Sequence, residues 1–118
     1  MITDYYVIAG YDLTEYKTDK FSDWKWEDES EKYFCYQRKG HIQLFDDPMS
    51  GNYLYLGYIL ANGDEYDFKT TKFDLIDVEI MELKVNNVLR YLQEVGVITE
   101  DINISELTYE MIAFKECA

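Results

Sequence analysis

From Tyr53 to Phe68 the chain reads YLYLGYILANGDEYDF. An apolar and aromatic run meets Asn62-Gly63, a pair that favours tight hairpin turns, and then acids alternate with aromatics. A two-residue loop at Asn62-Gly63 would put Leu54, Leu56 and Leu60 on one face with Glu65, Asp67 and Lys69. A three-residue loop, Ala61-Asn62-Gly63 with Gly63 left-handed, pairs Tyr58 with Tyr66 and Leu56 with Phe68. Because a slip of one residue moves every side chain to the other face, the pattern favours the three-residue loop. The opposite face of the first strand carries Tyr53, Tyr55, Gly57 and Ile59. It is not polar, so this strand is expected in mid-sheet, covered on both sides, or else presenting tyrosines to a partner.

The same reading predicts the other elements. YYVIAG (Tyr5 to Gly10) is a buried first strand. The polar, acidic stretch that follows, punctuated by Tyr16, Phe21, Trp24 and Trp26, is a long loop with room for one helical turn. YFCYQR and HIQLFD flank Lys39-Gly40 as a hairpin, and DDPMSGN is a turn cluster. Val78, Met81, Val85, Val88, Leu92 and Val95 recur at helical spacing. Thr71-x-x-Asp74 resembles a capping box at the start of that helix, and Gly96 stops it. ISELTYEMIAFKE alternates through Leu107, Tyr109, Met111 and Ala113 and reads as a last strand. The expected fold is therefore α+β in one domain over residues 1–118: an antiparallel sheet of about five to six strands with one long helix, about 72–95, across one face.

Composition sharpens the picture through charge. Twenty-four acids against eleven bases give a formal charge of −13. The excess is spread along the chain rather than held in a tail: residues 1–68 hold 14 acids and 6 bases, and residues 69–118 hold 10 and 5. Affinity for nucleic acid comes largely from Lys and Arg displacing counterions, so direct nucleic-acid binding is excluded, and anionic membrane surfaces are disfavoured. The partners such a surface attracts are basic. There is no CxxC, no signal-like N-terminus and no run near the ~20 apolar residues of a membrane span, which together read as a reduced, cytoplasmic protein.

Candidate chemistry changes little. Asp46-Asp47 and Asp64, Glu65 and Asp67 offer oxygen ligands but lack the spacing of a calcium loop; adjacent Asp residues in turns usually serve the turn itself. His41 is the single histidine. A Cys35–His41 pair is conceivable across the hairpin, but Cys35 reads more simply as a small buried hydrophobe. No nucleophile elbow and no phosphate loop is present. The sequence thus assigns no catalytic residue, metal or cofactor.

What stands out is DKFSDWKWEDESE (Asp19 to Glu31), with six acids and two tryptophans in thirteen residues. Tryptophan is a common interface anchor, and acids around it steer a basic partner; the alternative is a solvated loop pinned to the core by Trp24 or Trp26. The leading expectation is a non-enzymatic protein-binding module for a basic partner. Its contact acids would be Asp23, Glu27, Asp28, Glu29, Glu31, Asp46, Asp47, Asp64, Glu65 and Asp67, with Trp24 and Trp26 as anchors. A sharper form is a nucleic-acid mimic; small acidic inhibitors of nucleic-acid enzymes, such as those of phages and mobile elements, are similar in size and charge. Two other classes compete: an enzyme or sugar binder with a tyrosine-lined pocket, and a homo-oligomer joined through a sheet edge or the Tyr face.

Overall fold

The computed structural model describes residues 3–34, 39–47, 53–64 and 78–117. They form an α+β fold with one antiparallel four-stranded sheet and one long helix. Strands β1 (Thr3–Asp12), β2 (Ile42–Asp46), β3 (Leu54–Asp64) and β4 (Glu110–Cys117) lie in the order β2-β3-β1-β4. Between β1 and β2 the chain makes two 3-10 turns, Thr14–Tyr16 and Asp28–Tyr33, around a short helix α1 (Phe21–Trp24). The long helix α2 (Val78–Glu94) connects through a 3-10 turn, Ile104–Glu106, to β4.

Helix α2 buries Val85, Leu89 and Leu92 against Tyr11, Leu44, Leu54 and Leu56 of the sheet, and Met81 against Ala9 and Leu60. It ends as the sequence implies. Gly96 takes a left-handed φ of 83°, its N–H donates to Gln93 O, and Val97 N–H donates to Leu92 O. That pair of bonds is the glycine-dependent Schellman stop. The expected cap at Thr71 and Asp74 lies outside the described residues.

The opposite face of the sheet holds a second core of Tyr6, Ile8, Phe45 and Ile59, flanked by Tyr53, Tyr55, Ile112 and Phe114. Its contacts show how far the sheet bends. Phe45 pairs with Tyr55, and Tyr55 with Asp12, whereas Phe114 pairs with Tyr6. In a flat sheet Phe45 and Phe114 would sit three strands apart, about 14 Å, and six residues out of step, about 20 Å. Their ring centroids are 5.0 Å apart. The sheet must therefore fold over, and the paired glycines Gly10 and Gly57 lie in the stretch that separates the two levels. A Cβ on Gly10 would lie 1.9 Å from Leu56 O, and one on Gly57 would lie 2.9 Å from Ala9 O. Only glycine permits that approach.

Three expectations change. Asn62-Gly63 is no hairpin tip: β3 runs through it, with Tyr6 opposite Asn62 and Tyr5 opposite Gly63. Gly63 lacks the left-handed backbone of a bulged turn. Pairing with β1 overrides the local turn preference, and the apolar phase is corrected by a bulge: Val7 faces Ala61 and Ile8 faces Ile59, leaving Leu60 as the extra residue. Tyr33 and Phe34 do not begin a strand; Tyr33 closes a 3-10 turn and packs under Trp24. The described sheet has four strands rather than five to six. The strand expected after Asn62-Gly63 lies outside the described residues.

Candidate acidic groove

The acidic segment Asp19–Glu31 is fastened to the rest of the fold at several points. Thr18 N–H donates to Val97 O, and Thr99 N–H donates to Tyr16 O. Trp24 is 4 % exposed and packs with Phe21, Tyr33 and Phe34. Buried Ser30 places its hydroxyl 2.7 Å from Lys25 O and 2.8 Å from Glu27 O, closing the turn between them. An aromatic pin and buried hydrogen bonds thus fix a surface that would otherwise be a solvated loop.

This segment and the sheet enclose an open groove of about 550 Å³. Its lining includes Trp26, Glu27, Asp28 and Glu31 from the segment, Asp46 from β2, and Glu116 from β4. Trp26 is 84 % exposed at the rim. The one base in the lining, Lys25, donates to Asp46 Oδ2 at 2.6 Å, and its Nζ stands 5.8 Å from the Trp26 ring centre. Five carboxylates therefore face one ammonium that is already paired. Glu116 is half-buried among other acids. Burial pushes its carboxyl above the usual range; the hydrogen bond from Tyr53 OH, at 3.1 Å, opposes that rise, and Asp46, Asp4 and Asp47 add to it. A cation delivered into the groove would relieve this repulsion.

The groove thus gathers Trp26, Glu27, Asp28, Glu31 and Asp46 of the residues expected from sequence. Asp23 and Glu29 line a neighbouring depression of about 280 Å³ with Glu27, Lys20, Trp24, Val95 and Val97. Asp47 follows β2, its N–H donating to Tyr53 O. Trp24 belongs to the core and is almost wholly buried, so Trp26 is the exposed anchor of the two. Asp64 closes β3, and Glu65 and Asp67 lie outside the described residues. Sequence reasoning missed Glu116 and Lys25 as groove residues. The signal for Lys25 was its place between the two tryptophans amid Asp23, Glu27 and Asp28; for Glu116 it was an acid in phase with the apolar Ile112 and Phe114.

The tyrosine-lined alternative also has a location. Tyr53 and Tyr55 stack at 4.8 Å and, with Asp12, Thr14, Glu15 and Tyr16, line a depression of about 410 Å³. Two of its polar groups are already engaged: Thr14 N–H donates to Asp12 Oδ1, and Tyr53 OH donates to Glu116. Among the described residues no three His, Cys, Asp or Glu side chains form a group that could hold a metal ion, and no helix is long and apolar enough to cross a membrane.

Comparison with protein-family models, with curated proteins and with solved structures finds no match for this chain.

Proposed function

We propose that this chain is a non-catalytic protein-binding module that receives a basic partner in the groove between its acidic segment and the sheet. The observation that carries the reading is the juxtaposition of exposed Trp26 with five carboxylates on a fastened frame. An aromatic anchor inside an acidic rim is the usual arrangement for steering and holding a positively charged surface. Lys25, paired with Asp46, keeps the centre of the groove from being wholly anionic before a partner arrives.

The finer form of the proposal is nucleic-acid mimicry, in which these carboxylates take the place of phosphates in the partner's own binding groove. The net charge of −13 supports it, because a partner built to neutralise phosphates is built to neutralise carboxylates on a fixed surface.

A titration with an arginine-rich, unstructured peptide at rising ionic strength tests the reading. The expected result is affinity that falls steadily with salt and drops about tenfold when Glu27, Asp28 and Glu31 are together changed to their amides. Binding that ignores both salt and these substitutions would overturn it. For the finer form, duplex DNA should compete with this chain for a nucleic-acid-binding partner; the absence of competition would remove that form and leave the broader one.

A further inference from the structure

Strand β4 has one edge that no described strand covers, and the ladder shows which of its groups face outward. Leu13 N–H donates to Leu54 O, in register with the Tyr11–Leu56 pair, so the odd-numbered residues of β1 bond to β3. The even-numbered ones then bond to β4, through Glu110, Ile112, Phe114 and Glu116. The N–H and C=O groups of Met111, Ala113 and Lys115 are left pointing away from the sheet. These residues are exposed, Met111 by 59 %. Such a row is a template for another strand.

We propose that β4 is the docking strand for an extended basic segment of the partner, which adds antiparallel to the sheet. This inference rests on the reading of the chain as a receiver of basic partners and specifies how the partner docks. The side chains of β4 dictate the chemistry of the incoming strand. On the face of the second core they run Glu110, Ile112, Phe114, Glu116: acid, apolar, apolar, acid, at alternate positions. A strand centred opposite Ala113 answers this with basic, apolar, apolar, basic, the two bases six residues apart. The base opposite Glu116 stands at the acidic groove, which Glu116 lines together with Asp46 and Glu31. Edge and groove thus make one continuous site.

A second copy of this chain fits the edge poorly. The antiparallel register that pairs Met111, Ala113 and Lys115 completely is centred on Ala113. It sets Glu110 opposite Glu116 of the other copy, twice, between bodies that each carry −13. Like charges directly opposite one another oppose strand pairing. A basic strand removes the same conflict.

The experiment uses the synthetic peptide RTVTVTR, its scrambled partner TRVTVRT, and RTVTVTR methylated on backbone nitrogens. Binding is read by calorimetry with the full chain. The proposal expects RTVTVTR to bind at least about tenfold more tightly than TRVTVRT. Methylation at the second, fourth and sixth residues, which face β4, should abolish binding, and methylation at the third and fifth should not. Glu110→Lys should weaken RTVTVTR about tenfold and restore binding to RTVTVTE. Ala113→Pro removes an outward N–H without touching the native ladder, so it should block the peptide while leaving the melting temperature within a few degrees. If RTVTVTR and TRVTVRT bind equally and neither Glu110→Lys nor methylation matters, strand addition is wrong while the basic-partner reading survives. If no basic peptide binds, both fail. Concentration-dependent dimerisation abolished by Ala113→Pro would give the edge to a second copy and overturn the proposal.

Discussion

The rings of Phe45 and Phe114, on opposite edges of the sheet, meet edge-to-face at 5.0 Å. This contact closes the second core and sets the end of β2 beside the end of β4, where Asp46 and Glu116 line the same groove. The groove therefore depends on a corner in the sheet, to which the close backbone approach at Gly10 and Gly57 is suited. Gly10→Ala should destabilise the fold by about 3 kcal/mol or more, since its methyl would collide with backbone and not with a movable side chain. Urea denaturation checks this; a neutral outcome would mean the corner is not built on that approach.

Phe45 is 1 % exposed. Phe45→Ala should cost about 3–5 kcal/mol, and a double-mutant cycle with Phe114→Ala should return a coupling of about 0.5–1.5 kcal/mol for the ring pair. Additive losses would deny the contact.

The two tryptophans should separate cleanly. Trp24→Ala removes a core ring and should cost about 3–5 kcal/mol. Trp26→Ala should leave stability within about 0.5 kcal/mol and weaken a basic peptide by about tenfold or more. Equal effects on stability would contradict their assignment to core and rim.

Glu116 gives a dependence on pH. Its carboxyl is held above the ordinary value, so the folded chain keeps that proton to higher pH than the unfolded chain does. The contribution of this group is then full below the ordinary carboxylate pKa and is lost as pH rises through the raised one. Glu116→Gln should therefore stabilise the chain modestly at neutral pH, by under about 1 kcal/mol, and the gain should shrink toward zero on acidification below about pH 4. Urea midpoints of both proteins across that range decide it; a gain that grows as pH falls would contradict the sign.

Much of this architecture could be read from the residues, and what could not has a common cause. β1, β2, the α2 stripe and the Gly96 stop rest on local patterns and match, whereas the last strand, expected from Ile104, begins only at Glu110, after a 3-10 turn over Ile104–Glu106. Asn62-Gly63 misleads because turn preference is local, whereas its pairing with Tyr5 and Tyr6 comes from nearly sixty residues away. The bulge at Leu60 then restores the apolar phase that a hairpin was invoked to explain. Met111 and Ala113 alternate in step with the half-buried Tyr109 yet are exposed, because β4 is an edge and edge position leaves no mark in the alternation. The acidic segment was visible as a candidate, but Glu116 joins it only through the folding of the sheet. Which tryptophan is pinned and which is offered depends likewise on Tyr33 and Phe34 closing over one of them.

The most direct measurement is an amide chemical-shift map of the chain during titration with an arginine-rich peptide. The account predicts shifts concentrated at the Trp26 indole, at Glu27 to Glu31, at Asp46 and along β4 through Glu116, diminishing together as salt is added. Shifts confined to Tyr16, Tyr53 and Tyr55, or none that salt removes, would contradict it.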